Sequence, residues 1–248
     1  MRLSVGYHGG RYAGWAVQHP DRTAGRPTLQ ATLEAGLAAV LGSSVRAVAA
    51  GRTDAGVHAE AQVVSFETAS SVPTRALPEL LSHVLPTDIW ILEAADVPGD
   101  FDARRAARRR WYRYVLWLSR STPPSWLQGR CLQQPDSLDV SAMRGAATSL
   151  VGTHDFSAFT SDIPPGSSTR RTVYAADLLQ VEPALLSFEI CADAFLTHMV
   201  RTLLGSLVWV GQSRWTAAQF VHALRSGDRR LAGPTAPAHG LTLLRIDY

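Results

Sequence analysis

An arginine and an aspartate lie two residues apart in the segment Gly-Arg-Thr-Asp-Ala-Gly-Val-His-Ala at 51–59. The glycines make this segment unsuited to the interior of a helix or strand, so we expect a tight loop between two strands. A carboxylate beside a guanidinium stays ionised, and an ionised carboxylate can act as a nucleophile. Asp54 is therefore a candidate nucleophile, with Arg52 beside it. Taken alone, the two residues favour a simpler interpretation, because Asp-Ala-Gly turns are common in proteins without catalytic function.

A second candidate site is a run of six arginines within thirteen residues, interleaved with and followed by aromatic residues. Arginine binds phosphate through two parallel hydrogen bonds and stacks on bases, and aromatic rings hold unstacked bases. The run therefore indicates a surface for RNA, although a solvated charged segment would explain it equally well. The arginines are Arg104, Arg105, Arg108, Arg109, Arg110 and Arg113, and the aromatic residues are Trp111, Tyr112 and Tyr114.

The histidines and cysteines do not have the spacing of a metal site. No two histidines are separated as H-x-x-x-H, and the two cysteines do not form C-x-x-C. We therefore expect no metal and no disulfide framework. The residues considered are His58, His154, His198, His239, Cys131 and Cys191.

The composition is that of an ordinary folded protein. Of the 248 residues, 46% are hydrophobic and 18% are charged, which argues against disorder. All 24 basic residues are arginine, and both lysine and asparagine are missing, a pattern that codon bias in a GC-rich genome explains without reference to function. Neither an apolar signal core nor a run of eighteen apolar residues is present, so we expect a cytoplasmic protein without a membrane span.

Hydrophobic periodicity predicts the elements that position these residues. The two halves of the chain share an order of strand, helix and paired strands, which suggests a join near 100–110. The elements that bear on the candidate sites are a strand at 2–7, a helix from Thr28 to about Leu41, strands at 44–50 and 61–67, a strand at 110–118, a helix from about Ala194 to Val210 and a strand at 241–247.

Taken together, the nine residues of 51–59 resemble the catalytic motif of the TruA-type tRNA pseudouridine synthases. Six further blocks, in the same order as in that family, extend the resemblance along nearly the whole chain. They are YHGGRYAGW at 7–15, LQATLEAGL at 29–37, FDARRAARRRWYRY at 101–114, GTHDFSAF at 152–159, AFLTHMVRTLLGSL at 194–207 and HGLTLLRIDY at 239–248.

The resemblance implies a role for each matched residue. Asp54 is the nucleophile, and Arg52 helps to hold the target nucleotide out of the stack. Tyr112 stacks on the flipped uracil, Leu241 packs on its other side, and Arg201 pairs with Asp54. Each has a simpler interpretation: Tyr112 and Leu241 could be ordinary strand residues, and any arginine in an apolar helix needs a buried partner. Among the clustered arginines, Arg104, Arg108 and Arg109 are candidate RNA contacts.

The resemblance also implies the fold and the activity. The expected fold is α+β, with two RRM-like (ferredoxin-like) halves, 1–105 and 106–248, that form one continuous, mostly antiparallel sheet with the active cleft between them. The expected reaction isomerises uridine to pseudouridine on the 3′ side of the tRNA anticodon stem-loop, at positions 38–40 of the tRNA. It requires base flipping but no cofactor, and the expected enzyme is a homodimer.

Two other classes of protein remain open from the residues themselves. A non-catalytic RNA-binding module explains the arginine-aromatic run but leaves the Arg52–Asp54 loop unexplained. A carboxylate N-glycosidase acting on nucleosides would normally need a second carboxylate as general acid, and the matched motifs do not supply one.

Overall fold

The computed structural model describes residues 1–135 and 137–248. By its internal contacts the chain divides into two compact units. The first comprises Met1–Arg110 and Thr242–Tyr248, and the second comprises Trp111–Leu241. The last strand thus packs with the first unit, whereas the division expected from the sequence placed it with the second half.

The described residues form ten strands and six α-helices, and the strand pairings are mostly antiparallel. The predicted α+β class is therefore confirmed. The strands are β1 (Arg2–Tyr7), β2 (Val48–Ala49), β3 (His58–Ser65), β4 (Ile89–Ala95), β5 (Arg109–Trp117), β6 (Leu132–Gln133), β7 (Gly152–Asp155), β8 (Arg170–Glu182), β9 (Leu185–Ala192) and β10 (Leu241–Asp247). The helices are α1 (Pro20–Thr23), α2 (Leu29–Leu41), α3 (Leu77–Ser82), α4 (Val140–Ala147), α5 (Met199–Gly211) and α6 (Ala217–Ser226).

In the first unit the strands lie in the order β4-β1-β3-β10, and β2 also pairs with β3. Strand β1 is antiparallel to both of its neighbours. Strand β10 runs parallel to β3, with Thr242 opposite His58. The catalytic-loop candidate at 51–57 connects β2 to β3, so the sheet of this unit fixes both of its ends.

Helix α2 forms where the sequence predicts it, for identifiable local reasons. The Oγ1 atom of Thr28 accepts a hydrogen bond from the amide of Ala31 at 3.3 Å, which caps the first turn. Gly42 ends the helix in the left-handed region at φ +76. Leu29, Leu33 and Leu37 follow one another at helical spacing and are buried.

In the second unit the order is β5-β9-β8-β7, and β6 pairs in parallel with β5. Helix α4 packs against α5, α6 and β8. Tyr114 and Leu116 of β5 alternate with less buried neighbours, as predicted for a strand with one face in the core.

Several element boundaries differ from those predicted. Helix α5 begins at Met199 rather than near Ala194, because Asp193 Oδ1 accepts hydrogen bonds from the amides of Ala194 and Thr172, and His198 adopts φ 62. Apolar side chains before that turn resemble a helical pattern without forming one. The predicted strand 44–50 is reduced to β2, and the short strands β6 and β7 were not predicted. Among helices formed by the described residues, none combines the length and the apolar character needed to cross a membrane.

Candidate active site

The segment that contains Asp54 is a loop with a tight turn at its end. The amide of Val57 donates to the carbonyl of Asp54 at 3.1 Å, and Gly56 has φ +84. A positive φ at the third position of a turn closed in this way is typical of a type II turn, which favours glycine there. Asp54 is half-buried and Arg52 is exposed. The predicted loop between strands is therefore present, with the carboxylate at the first position of its turn.

Three hydrogen bonds, which involve Gly51 and Thr53, hold the segment before Asp54 in place. Gln62 Nε2 donates to the carbonyl of Gly51 at 2.7 Å, the Tyr7 hydroxyl lies 2.8 Å from Thr53 Oγ1, and the amide of Trp15 donates to the carbonyl of Thr53 at 3.0 Å. Burial raises the pKa of Tyr7 to about 12, against the opposing effect of its hydrogen bonds to Thr53 and Gln62. Tyr7 therefore remains a neutral hydroxyl at any physiological pH.

Gly14 brings a second segment against the same loop. Its φ is +95, and a Cβ atom built on it would lie 2.9 Å from the carbonyl oxygen of Thr53 and 3.1 Å from the amide of Ala55. A side chain at this position would push the loop away. The close approach explains why a glycine stands at position 14, in the stretch that begins at Tyr7.

The six clustered arginines fall into two groups. Arg110 bonds to backbone carbonyls of its own unit, including that of Ala50 from both Nε at 3.3 Å and Nη2 at 3.0 Å. Arg113 forms an ion pair with Glu189 at 2.9 Å. These two side chains are thus engaged within the protein. The exposed group, which we name the arginine surface, consists of Arg104, Arg105, Arg108 and Arg109.

Tyr112 lies in β5 with only 7% of its surface exposed. Its ring meets the ring of Phe195 edge to face, with centroids 5.1 Å apart and an interplanar angle of 83°. Phe195 belongs to the segment that precedes α5, the helix of Arg201. Tyr112 therefore contacts the segment that leads into the helix of Arg201, another predicted site residue.

Arg201 is half-buried in a helix whose other residues are mostly apolar. Its Nε atom donates to the carbonyl of Ala236 at 2.8 Å, and its own carbonyl accepts from the amide of Ala236 at 3.0 Å. The bond from Nε restricts the orientation of the guanidinium group, and the backbone bond holds Ala236 beside it. The predicted pairing of Arg201 with Asp54 stays a prediction.

Tyr114, one of the aromatic residues of the predicted arginine-aromatic run, has a supporting role that the sequence did not predict. It is fully buried, and its hydroxyl donates to the carbonyl of Pro237 at 2.7 Å. Burial raises the pKa of Tyr114, and the charge of Arg201 acts in the opposite direction. Gly240 is required beside it, since a Cβ there would collide with the ring. Leu241, which follows, is buried at the start of β10.

Among the described residues, no three or more His, Cys, Asp or Glu side chains are grouped so as to hold a metal ion. His58, for instance, accepts a hydrogen bond at Nδ1 from the amide of Gly9 at 3.2 Å. It lies in the first unit, whereas His154, His198 and His239 lie in the second.

Sequence comparison decides the family. A family model described as tRNA pseudouridine synthase matches residues 4–104 and 146–248, which is most of the chain. The chain belongs to the tRNA pseudouridine synthase family. The predicted family and enzyme class, an isomerase, are thereby confirmed.

Curated relatives within the tRNA pseudouridine synthase family match this chain from end to end. A protein named tRNA pseudouridine synthase A from Moorella thermoacetica is 42% identical, and the alignment covers 100% of this chain and 99% of that protein. The protein of the same name from Bordetella petrii is 43% identical over 100% of this chain and 91% of its own length. The protein of that name from Myxococcus xanthus is 40% identical, and the alignment covers 100% of this chain and 91% of that protein.

The residues that hold the candidate site residues in place through hydrogen bonds were not predicted from the sequence. Tyr7 resembles an ordinary strand residue, and its bond to Thr53 joins positions far apart in the chain. The stretch Ala232–Pro237, which binds Arg201, carries a usable signal in its glycine, its two prolines and its small side chains. Such composition indicates irregular backbone that can approach another element closely.

Proposed function

We propose that this tRNA pseudouridine synthase modifies uridines on the 3′ side of the anticodon stem-loop, with Asp54 as its nucleophile. The observation that carries the proposal is the loop itself. Asp54 follows a segment that hydrogen bonds hold at Gly51 and Thr53, and a turn with Gly56 at φ +84 follows it. A carboxylate held in this way is preorganised for attack, which is the arrangement that catalysis requires.

The reaction rearranges one nucleotide and consumes nothing else. The bond from C1′ to N1 breaks, the uracil turns, a bond from C1′ to C5 forms, and the proton lost from C5 is balanced by one gained at N1. The Asp54 carboxylate opens the sequence by attack on the sugar or the base, or by promoting an elimination. Because no electron leaves the substrate, the chemistry needs no redox cofactor.

The target base must leave the RNA stack, which costs a few kcal/mol. Arg52 is exposed two residues before Asp54. In this proposal its side chain fills the space that the base vacates. Tyr112 and Leu241 hold the two faces of the flipped uracil. Stacking on an aromatic ring contributes about 1–3 kcal/mol per base, so these contacts offset much of the cost of flipping.

Arg201 serves the nucleophile by charge. A guanidinium beside a carboxylate keeps it ionised. The bond from Nε to the carbonyl of Ala236 sets the direction in which the remaining donors of Arg201 point. The arginine surface then binds tRNA phosphates, supplying affinity without contributing to the chemical step.

The assembly and location follow from the family resemblance. We expect a homodimer that works in the cytoplasm. Light scattering of the purified protein with and without tRNA measures the first expectation directly.

The test of this function maps pseudouridine chemically in tRNA treated with the purified protein and with two variants. Asp54→Asn keeps the size of the side chain and removes the nucleophile, so turnover should vanish while tRNA binding persists. Asp100→Asn is the matched control, because Asp100 is an exposed carboxylate of the same unit. Free uracil released by the unmodified protein would instead support an N-glycosidase. A protein that binds tRNA but converts no uridine would support a binding module.

A further inference from the structure

A short segment, Ala232–Pro237, packs along one side of α5, and we call it the proline segment. Four hydrogen bonds join the proline segment to α5, and all of them lie within the second unit. Gly233 N donates to Ser206 Oγ at 2.9 Å, Thr202 Oγ1 lies 3.0 Å from Thr235 Oγ1, Ala236 N donates to the Arg201 carbonyl at 3.0 Å, and Arg201 Nε donates to the Ala236 carbonyl at 2.8 Å.

The approach is close enough to exclude side chains. A Cβ atom on Gly205 would collide with the carbonyl of Pro234, and one on Gly233 would lie 2.8 Å from the Cα of Ser206. Contact at this distance requires the segment to keep one conformation. The position of the Ala236 carbonyl, and with it the orientation of Arg201, thus depends on what holds the segment.

Arg229 bonds to this segment at three points. Its Nη1 atom donates to the carbonyls of Ala232 at 3.3 Å and Gly233 at 3.1 Å. Its Nη2 atom donates to Thr235 Oγ1 at 3.3 Å. Hydrogen bonds from a charged guanidinium are stronger than neutral ones, and a planar fork binds several acceptors in one geometry. Thr235 in turn touches Thr202, the neighbour of Arg201 in α5.

We propose that Arg229 is a positioning residue for the reaction. It holds the proline segment in the conformation in which Ala236 fixes the guanidinium of Arg201. This inference rests on the proposed function of Arg201 as the partner of the nucleophile. Arg229 affects Arg201 indirectly, through the proline segment. It therefore contributes to the chemical step without contacting RNA.

The adjacent residue provides a matched control. Arg230 is exposed over 89% of its side chain and forms an ion pair with Asp228 at 2.7 Å. Arg229→Gln and Arg230→Gln each remove one positive charge. Both should therefore lower the nonspecific attraction to tRNA to a similar extent.

The experiment measures single-turnover rates and tRNA affinities of the two variants with the full chain and tRNA. Arg229→Gln should lower the single-turnover rate between about 10-fold and 100-fold, since a displacement of about 1 Å can cost as much as 10²-fold. Arg230→Gln should keep the rate of the unmodified protein. Equal rates for the two variants would overturn the inference, as would an Arg229→Gln defect confined to tRNA affinity.

A double-mutant cycle distinguishes positioning from general weakening of the fold. If Arg229 acts through Arg201, Arg229→Gln should have little further effect on the rate once Arg201→Lys is present. Fully multiplicative losses would mean that the two act independently, and the inference would fail. If Arg201→Lys alone leaves the rate unchanged, the proposed role of Arg201 is wrong, and the role of Arg229 fails with it.

A second pair of variants covers the case in which Arg229→Gln does not fold. Thr235→Val removes the acceptor for Arg229 at nearly constant size, whereas Thr235→Ser retains the hydroxyl. The valine variant should be slower than the serine variant, and the serine variant should match the unmodified protein. Equal rates for both would contradict the proposal.

Discussion

The hydroxyl of Tyr7 lies 2.8 Å from Oγ1 of Thr53, the residue directly before the proposed nucleophile. Both side chains are buried, so water cannot replace either partner. The bond ties the end of the first strand to the loop that carries Asp54. A residue of β1 is thereby bonded to the residue that precedes Asp54.

Replacement of Tyr7 by phenylalanine tests this tie. The change leaves Thr53 Oγ1 buried and unsatisfied, which should cost about 1–3 kcal/mol of folding free energy. The loop should also relax, and the single-turnover rate should fall about tenfold while tRNA affinity stays unchanged. Tyr248→Phe is the control, because its hydroxyl donates at 3.0 Å to the carbonyl of Ala103 in the same unit and not to a residue of the Asp54 loop. Similar losses of stability with similar rates in the two variants would refute the role of Tyr7.

Tyr112 is expected to act through both its ring and its hydroxyl, and two substitutions separate these roles. Tyr112→Phe retains the ring and should bind tRNA nearly as well, while its single-turnover rate falls about 10²-fold if the hydroxyl takes the C5 proton. Tyr112→Leu removes both and should also weaken capture of the flipped base by about 1–3 kcal/mol.

The same substitutions at Tyr174, an exposed tyrosine of the second unit, provide the control for this pair. A phenylalanine variant as fast as the unmodified protein would assign the proton to another group. A leucine variant that is equally fast would make Tyr112 a core aromatic, packed against Phe195 and nothing more.

The arginine surface should determine how tRNA binding depends on salt. Arg108→Ala with Arg109→Ala should lower affinity and reduce the slope of log affinity against log salt by about 0.7–0.9 for each phosphate that the variant no longer binds. Arg75 and Arg120 are exposed arginines outside the cluster, and their double alanine variant removes the same charge. Identical slopes for the two double variants would mean that Arg108 and Arg109 only face solvent.

Buried tyrosines should make the fold sensitive to strong alkali. Burial raises the pKa of Tyr7 to about 12, and burial is also the main cause of the raised pKa values of Tyr12, Tyr114 and Tyr248. An unfolded tyrosine ionises near pH 10. Above that pH the unfolded chain loses protons that the folded chain retains, so stability that is complete below pH 10 is lost as the pH approaches 12. Phenolate absorbance and circular dichroism should change together above pH 10; ionisation of all six tyrosines in a folded protein would contradict this.

The sequence was informative wherever a local rule governs the structure. Thr28 and Gly42 mark the ends of α2 because capping depends on neighbouring residues. The glycines around Asp54 predict its loop for the same reason. Tyr7, Tyr114 and Arg229 were not predicted as supporting residues, since their partners are not encoded in any local periodicity. The start of α5 was misplaced because Asp193 and His198 stop a helix that the apolar pattern alone would extend.

The pairing of β10 with β3 also determines when, during synthesis, the sheet of the first unit can be completed. Thr242 lies opposite His58, the first residue of β3 after the Asp54 loop, and Tyr248 packs near Ala50, just before that loop. A ribosome that has completed the whole second unit has therefore not yet supplied β10, one of the strands that pair with β3. Until then, the nascent first unit has an incomplete sheet, and its unpaired backbone is open to chaperones or to mispairing with another chain. The loop that carries Asp54 therefore acquires this support only after the second unit has been synthesised.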